Sequence, residues 1–98
     1  MLKILIAEDD RELRQLFSHV LNRHGYTVTG VSTGQEALDA IAANPDVGVV
    51  ILDIMVPGDM DGFEVCRQIR ATNKQLGIIM LTARTQGSNV FGRGVFRC

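Results

Sequence analysis

Polar residues follow three apolar segments of this 98-residue sequence, at points where buried strands would end. The first segment, "ILIA", is followed by Glu8, Asp9 and Asp10. The second, "VGVVIL", is followed by Asp53, and the third, "LGIIML", is followed by Thr82. Short continuous apolar segments of this kind are typical of buried strands. An aspartate at the end of a buried strand contributes nothing to core packing, so these residues indicate a functional site.

Three carboxylates close together favour the binding of a cation. If Glu8, Asp9 and Asp53 meet, their repulsion raises the pKa of at least one of them. A divalent cation would remove that repulsion, and oxygen ligands with no histidine or cysteine nearby point to Mg²⁺. A carboxylate beside Mg²⁺ can attack phosphorus and form an aspartyl phosphate. The Thr82 hydroxyl could then donate a hydrogen bond to the phosphoryl oxygens.

Each of these residues also has a simpler interpretation. The acids after the first segment could cap the following helix and complement its dipole. Asp53 could begin a turn, since aspartate is common in turns, and Thr82 could be an ordinary strand end. The combination of all of them is more specific than any member alone, and it favours a shared site.

The segments between the strands have the patterns of helices. The first has apolar residues at helical spacing, and Gly25 stands where such a helix would stop. Those apolar residues are Leu13, Leu16, Phe17, Val20 and Leu21. The second begins with a capping box, in which Thr33 is the N-cap and Glu36 reaches back, and it stops at Asn44. A second possible capping box begins the third helix at Asp61.

The order of elements predicts an α/β fold. With "YTVTGV" at 26–31 as a further strand, the chain alternates strand and helix from the first strand to the fourth. That order predicts a parallel sheet with helices on both faces and right-handed crossovers. Ligands of such sheets bind outside the carboxyl ends of the strands. The acids and Thr82 are therefore expected at one shared edge.

The composition is ordinary for a globular protein and excludes several classes. With a net charge of −1 the chain has no strong field for nucleic acid or an anionic membrane. No apolar segment approaches the roughly 20 residues of a membrane span, and the N-terminus is too short in apolar residues for a signal peptide. Two cysteines imply no disulfide framework. We expect Cys66 to pack in the core, Cys98 to be a loose thiol, and the setting to be cytoplasmic.

Four stretches of the chain resemble the receiver domain of two-component response regulators. They are "ILIAEDD", "GYTVTGVSTGQEAL", "VVILDIMVPGDMDGFEVCRQIR" and "IIMLTAR", and they run in that family's order from residue 2 to about residue 84. The resemblance implies a flavodoxin-like, doubly wound parallel sheet with strand order 2-1-3-4-5. It also implies an incomplete receiver domain over residues 1–84 and an atypical Gly/Arg-rich tail over residues 85–98.

The same resemblance assigns roles to individual residues. Asp53 matches the phosphoacceptor of the family. Glu8 and Asp9 match the acid pair that holds Mg²⁺, with Asp9 as the direct ligand, and Met55 stands where a backbone carbonyl completes the metal site. Thr82 matches the switch hydroxyl. A sensor histidine kinase is the partner that this family implies.

Two departures from the family pattern concern the loop after Asp53 and the end of the chain. Four residues separate Pro57 from Gly62 where the family has three, so we expect a bulged loop beside an intact site. The fifth strand and last helices are missing or replaced by the tail. The two lysines, Lys3 and Lys74, precede strands and belong to the opposite edge, so the lysine that contacts the phosphoryl group is absent.

These features leave one leading function and two alternatives. The leading one is a receiver of a transcription-type response regulator, which is not an enzyme beyond its own phosphorylation and dephosphorylation and does not itself bind nucleic acid or membrane. The first alternative is a signalling-defective pseudo-receiver that acts only in binding or dimerisation. An Mg²⁺-dependent aspartyl phosphatase is disfavoured because Met55 stands where that class has a second acid. The exposed fourth strand predicts that the tail packs on it, within the chain or swapped into a homodimer.

Overall fold

Five strands form one sheet in the part of the chain that the computed structural model describes, residues 2–82 and 94–98, with only the backbone described for Thr82 and residues 94–97. The strands are β1 (Lys3–Ala7), β2 (Thr27–Val31), β3 (Val47–Asp53), β4 (Gly77–Thr82) and β5 (Gly94–Arg97). Their order across the sheet is β2-β1-β3-β4-β5. The first four are parallel, which confirms the predicted α/β sheet with order 2-1-3-4.

Three helices connect the parallel strands. They are α1 (Arg11–Arg23), α2 (Gly34–Ala43) and α3 (Gly62–Thr72). The Glu36 amide donates a hydrogen bond of 3.1 Å to the Thr33 hydroxyl, and the Glu64 amide donates one of 2.9 Å to the Asp61 carboxylate. Both predicted N-caps are therefore confirmed. Glu36 reaches back one residue further than predicted, because its carboxylate accepts hydrogen bonds of 2.8 Å from the amide and the hydroxyl of Ser32.

The ends of α1 and α2 lie where the sequence predicts them. Gly25 follows the C-cap residue of α1 with a φ of 91°, a left-handed conformation that glycine adopts without steric cost. Asn44 is the C-cap of α2, and its side-chain amide donates a hydrogen bond of 2.8 Å to the Ala40 carbonyl. None of the helices in residues 2–82 and 94–98 is long and apolar enough to cross a membrane.

The main core lies between the sheet and the helices α2 and α3. Its strands contribute side chains from the centre of the sheet, and its helices contribute Val65 and Ile69 of α3 and Ala37 of α2. The fully buried members from the strands are Leu5, Val50, Leu52 and Met80. Burial of such side chains stabilises the fold by roughly 1.5–3 kcal/mol each. This core therefore fixes the carboxyl ends of β1, β3 and β4 relative to one another.

The opposite face of the sheet is only partly covered. Helix α1 contacts β1 and β2, and Ile6 of β1 is 1% exposed. Two residues of the predicted apolar stripe of α1, Leu16 and Val20, are nevertheless 57% and 43% exposed, and Ile79 of β4 is 39% exposed. The apolar stripe of α1 is therefore only partly covered by the sheet. In the described part of the chain no second helix packs beside α1 on this face.

The tail supplies the fifth strand. Strand β5 pairs antiparallel with β4, so that Met80 lies opposite Phe96 and Thr82 lies opposite Gly94. The prediction that the tail packs on the fourth strand is confirmed within one chain. Because β5 pairs with β4, the outer backbone groups of β4 are no longer an open edge. Residues 83–93 lie outside the described residues.

The expectation of a loose thiol at Cys98 is wrong. The Sγ atoms of Cys66 and Cys98 are paired in a disulfide, and their Cα atoms are 6.1 Å apart, within the range of native disulfides. Arg70 of α3 donates hydrogen bonds of 3.1 and 3.0 Å to the Cys98 carbonyl oxygen and one of 2.6 Å to that of Leu76. Sequence reasoning missed the pair because 32 residues separate the two cysteines, and only the return of the tail along β4 brings them together.

Candidate functional site

Three carboxylates meet at the carboxyl edge of the sheet. Ala7 of β1 pairs with Leu52 of β3, so the next residues along the chain, Glu8 and Asp53, lie side by side. Glu8, Asp9 and Asp53 each offer a carboxylate oxygen, and these oxygens all lie within 4.8 Å of one another. The shared edge that the sequence predicts is therefore present, and it brings together the acids of two separate segments.

The three acids after β1 have different tasks. Asp10 is the N-cap of α1, where its carboxylate accepts hydrogen bonds of 3.0 and 3.2 Å from the amides of Glu12 and Leu13. Glu8 is only 8% exposed, and its carboxylate accepts a hydrogen bond of 3.0 Å from the Asp10 amide. The simple capping interpretation thus holds for Asp10, whereas Glu8 and Asp9 contribute to the cluster with Asp53.

The environment of Glu8 disfavours its charge. Burial raises the pKa of Glu8 to about 7, and the hydrogen bond from the Asp10 amide only partly opposes that rise. The nearby carboxylates of Asp53 and Asp9 contribute to the same rise. One of the clustered acids is therefore shifted as the sequence analysis predicts, although burial contributes more than repulsion. A cation at the cluster would favour the charged form of Glu8.

The backbone after β3 holds Asp53 in place. The Ile54 amide donates a hydrogen bond of 2.9 Å to the Leu81 carbonyl, which extends the pairing of β3 and β4 beyond Asp53. The Met55 amide donates one of 2.9 Å to a carboxylate oxygen of Asp53. Asp53 itself is half-buried, while the Met55 side chain is exposed. These contacts leave the Asp53 carboxylate at the edge and restrict its rotation.

Gly62 allows the loop after Asp53 to close on the strand end. Its amide donates a hydrogen bond of 2.8 Å to the Ile54 carbonyl. A Cβ atom at this position would lie 2.7 Å from the Ile54 Cα and 2.9 Å from the Asp53 carbonyl oxygen, too close for any other residue without a backbone shift. Gly58 turns the longer loop with a φ of 107°. The extra loop residue is thus accommodated while the acid cluster stays assembled.

The backbone of Thr82 lies at this edge of the sheet, whereas both lysines lie elsewhere. Leu81 pairs with Asp53, so the backbone of Thr82 is one residue beyond the level of Asp53 on the neighbouring strand. Its side chain lies outside the described part of the structure. Lys3 forms an ion pair of 2.5 Å with Asp46 at the opposite edge, and Lys74 lies between α3 and β4. Neither lysine belongs to the edge with the acids.

The residues of the cluster fit Mg²⁺. They offer carboxylate oxygens from two strands, which are the hard ligands that this ion prefers. One of them, Glu8, is buried and has a raised pKa, and a bound cation would favour its charged form. Glu8, Asp9, Asp53 and the Met55 carbonyl are the groups that would hold the ion. Sequence reasoning named all of these but missed Arg14, whose guanidinium donates a hydrogen bond of 2.7 Å to the Glu8 carbonyl.

Comparison with known proteins identifies the family. The family model of the response regulator receiver domain matches residues 4–93. This chain belongs to the response regulator receiver domain family. Its sheet order and the acids at the carboxyl edge are those expected of a flavodoxin-like receiver domain.

Curated relatives of this receiver domain include response regulators from mycobacteria. Response regulator MprA of Mycolicibacterium vanbaalenii is 47% identical over 83 residues, which are 84% of this chain and 35% of that protein. MprA of Mycobacterium avium is 45% identical over 84 residues, 85% of this chain and 36% of that protein. The chain thus spans about a third of the length of the curated relatives it matches.

Solved receiver structures have the same fold. The response regulator TrrA of Thermotoga maritima, in complex with Mg²⁺ and BeF, matches with a TM-score of 0.81 and 34% identity over 94% of this chain and 78% of that one. TrrA in complex with the histidine kinase ThkA gives a TM-score of 0.79 with the same coverage. The non-phosphorylated HemR receiver domain of Leptospira biflexa gives 0.78 at 30% identity, over 89% of this chain and 68% of that one.

Proposed function

We propose that this receiver domain accepts a phosphoryl group on Asp53 from a sensor histidine kinase, with Mg²⁺ held by Glu8, Asp9, Asp53 and the Met55 carbonyl. The observation that carries the proposal is the cluster of three carboxylates within 4.8 Å at the carboxyl edge of the sheet. A cluster with no function would cost stability, because it brings like charges close together and buries one of them.

The chemistry requires little covalent help from the protein. An oxygen of Asp53 forms a bond to phosphorus while the bond from phosphorus to the imidazole nitrogen of a phosphohistidine breaks, and the electron pair of that bond leaves with the nitrogen. Phosphoryl transfer depends mainly on positioning and charge neutralisation. Bound Mg²⁺ would supply the neutralisation, and the Met55 amide, 2.9 Å from Asp53, restricts the attacking carboxylate. The Thr82 hydroxyl is proposed to bind the phosphoryl group afterwards.

Two of the similar structures support the ligand and the partner. TrrA was solved with Mg²⁺ and BeF and also with the histidine kinase ThkA. At 34% identity over most of the chain, these complexes make the same ion and the same class of kinase the first candidates for this domain. We further propose that the domain is a non-enzymatic, cytoplasmic module of a transcription-type response regulator, without nucleic-acid or membrane binding by this segment.

Intact mass after incubation with acetyl phosphate and Mg²⁺ tests the proposal. We expect the parent protein to gain the mass of one phosphoryl group, and only when Mg²⁺ is present. Asp53→Asn should gain no mass under the same conditions. A Mg²⁺ titration should give weak binding to the parent and weaker binding to Asp53→Asn. Phosphorylation mapped to serine, threonine or histidine, or equal Mg²⁺ affinity in both proteins, would contradict the assignment.

The alternative function is a pseudo-receiver that only binds or dimerises. The specific observation in its favour is the position of both lysines, which lie away from the acid cluster. This alternative predicts that the parent protein gains no mass with acetyl phosphate although it binds Mg²⁺. The proposed function predicts slow phosphorylation instead, because a missing lysine removes one stabilising charge but leaves the nucleophile and the metal ligands.

A further inference from the structure

The peptide that joins Glu8 to Asp9 is held by a side chain from α1. Arg14 Nη1 donates a hydrogen bond of 2.7 Å to the Glu8 carbonyl oxygen. That oxygen and the Asp9 nitrogen belong to one planar peptide group, so the direction of the carbonyl fixes how the Asp9 backbone leaves β1. The contact therefore acts at the junction between two residues whose carboxylates form the cluster with Asp53.

Arg14 reaches this carbonyl by lying across Gly30 of β2. A Cβ atom on Gly30 would lie 2.9 Å from Arg14 Cδ and 3.0 Å from Arg14 Cγ, in the middle of the arginine stem. Gly25 and Gly58 are the glycines with positive φ among the described residues, so the backbone of Gly30 does not itself require glycine. Glycine at position 30 thus provides the space through which the arginine passes.

A carboxylate on α2, that of Glu36, attracts the Arg14 charge. Hydrogen bonds from Ser32 hold the pKa of Glu36 below its usual value, and the nearby Arg14 charge lowers it further. Arg14 is half-buried and lies in a groove between α1, the end of β2 and α2. Its hydrogen bond to Glu8 and its position against Gly30 connect the acidic turn after β1 to β2, which limits the freedom of that turn.

We propose that Arg14, seated on Gly30, is a positioning residue for the Mg²⁺ site and holds the Glu8–Asp9 peptide in the orientation that directs the Asp9 carboxylate toward Asp53. The inference rests on the proposed function, because it concerns the affinity of the same site. The positive charge of Arg14 by itself would lower the affinity for Mg²⁺, since a nearby cation repels the ion, whereas positioning of the ligands would raise it. Removal of the guanidinium therefore weakens Mg²⁺ binding if Arg14 positions the ligands, and strengthens it if Arg14 contributes only its charge.

A Mg²⁺ titration of matched variants makes that distinction. Groups that orient metal ligands typically contribute 10–100-fold to metal affinity, so we expect Arg14→Met to raise the Kd for Mg²⁺ about tenfold. Arg11→Met removes the same charge from the exposed start of the same helix, and its Kd is expected to be unchanged or slightly lower. The titrations are run well below the unfolding temperature of every variant, where a purely structural role would leave Kd unchanged.

Gly30→Ala provides a second variant that keeps every charge. The added methyl group displaces the arginine stem, so the Kd for Mg²⁺ is expected to rise by a similar factor. In the double variant Arg14→Met with Gly30→Ala the rise should be no larger than in Arg14→Met alone, because both changes break one interaction. Arg14→Lys, whose ammonium group can donate only as a compact charge, should recover part of the affinity.

The outcomes separate this inference from the proposed function. A parent protein that binds Mg²⁺, with Arg14→Met binding as tightly as Arg11→Met or more tightly, would overturn the positioning role alone. Equal and additive losses in Gly30→Ala and Arg14→Met would also overturn it, since the glycine would then act by another route. Absence of Mg²⁺ binding by the parent would overturn the proposed function and this inference together.

Discussion

At the scale of single residues, Glu8 is the member of the site with the strongest pH dependence. Burial raises its pKa to about 7 from a usual value of 4.5. Between these two values the folded protein holds a proton that the unfolded chain has lost. The free energy of unfolding therefore falls as the pH rises from about 4.5 to 7. Above pH 7 the penalty is fully present unless a cation is bound.

We predict that Glu8→Gln removes this fall and makes the ion-free protein more stable than the parent at pH 8. Urea unfolding at a series of pH values, with a chelator present, measures the effect. Glu12→Gln is the matched control, because it changes an exposed acid in the first turn of α1. Saturating Mg²⁺ should reverse the order at pH 8, since the parent binds the ion with one more carboxylate than Glu8→Gln does. Parallel pH profiles for the parent and Glu8→Gln would contradict the raised pKa.

At the scale of elements, the junction between β3 and α3 connects the fold to the site. Gly62 begins α3 in direct contact with the backbone of Asp53 and Ile54, where a Cβ atom would approach to 2.9 and 2.7 Å. Rigid backbone atoms on both sides cannot move as a flexible side chain does. We predict that Gly62→Ala lowers the free energy of unfolding by about 1–3 kcal/mol and also weakens Mg²⁺ binding, because Asp53 must shift.

Gly77→Ala is the control for that prediction. A Cβ atom on Gly77 would meet its nearest neighbours at 3.4 Å, and this residue begins β4 at the edge away from the acids. Urea unfolding should show a smaller loss for Gly77→Ala, and calorimetric titration should show unchanged Mg²⁺ affinity. If both variants lose Mg²⁺ affinity equally, the effect of Gly62→Ala comes from general destabilisation and not from its contact with Asp53.

At the scale of the whole molecule, the Cys66–Cys98 pair determines how the end of the chain is held. The disulfide joins α3 to the residue after β5 across 32 residues of sequence, and Arg70 binds the Cys98 carbonyl at the same place. A cross-link of this loop length stabilises the folded state by about 3–4 kcal/mol in the chain-entropy description. We predict that Cys98→Ser lowers the free energy of unfolding by about that amount under oxidising conditions.

Dithiothreitol provides the internal control. It should destabilise the parent and leave Cys98→Ser unchanged, with Cys66→Ser behaving like Cys98→Ser. If dithiothreitol has no effect on the parent, the pair does not contribute to stability. The cytosol keeps most thiols reduced, so in that setting β5 would depend on its pairing with β4 and on Arg70.

The exposed apolar residues on the α1 face predict self-association of the molecule. Leu16, Val20 and Ile79 remain well exposed, and exposed apolar side chains on one face favour contact between copies. We expect light scattering after size exclusion, with reductant present, to show a mass that increases with concentration. Leu16→Glu with Val20→Lys should give a monomer, whereas changes at the exposed polar positions Gln15 and His19 should not. A monomeric parent at high micromolar concentration would contradict the prediction.

The resemblance to receiver domains implied the sheet order, and the residues by themselves determined the alternation of strands and helices and the acids at the carboxyl edge. These features are local or follow from the chain order, because apolar segments, N-caps and crossover handedness limit the arrangement before any long-range contact forms. Thr33 and Asp61 as N-caps, and the cluster of Glu8, Asp9 and Asp53, are the clearest examples.

Only the tertiary structure decided the contacts that join distant parts of the chain. The Cys66–Cys98 pair depends on β5 returning antiparallel along β4, and the passage of Arg14 over Gly30 depends on the packing of α1 against β2. Likewise, burial of Glu8 and exposure of Leu16 follow from which elements cover each face of the sheet. Residue spacing does not predict such contacts, because they arise from packing between elements and not from the periodicity within each element.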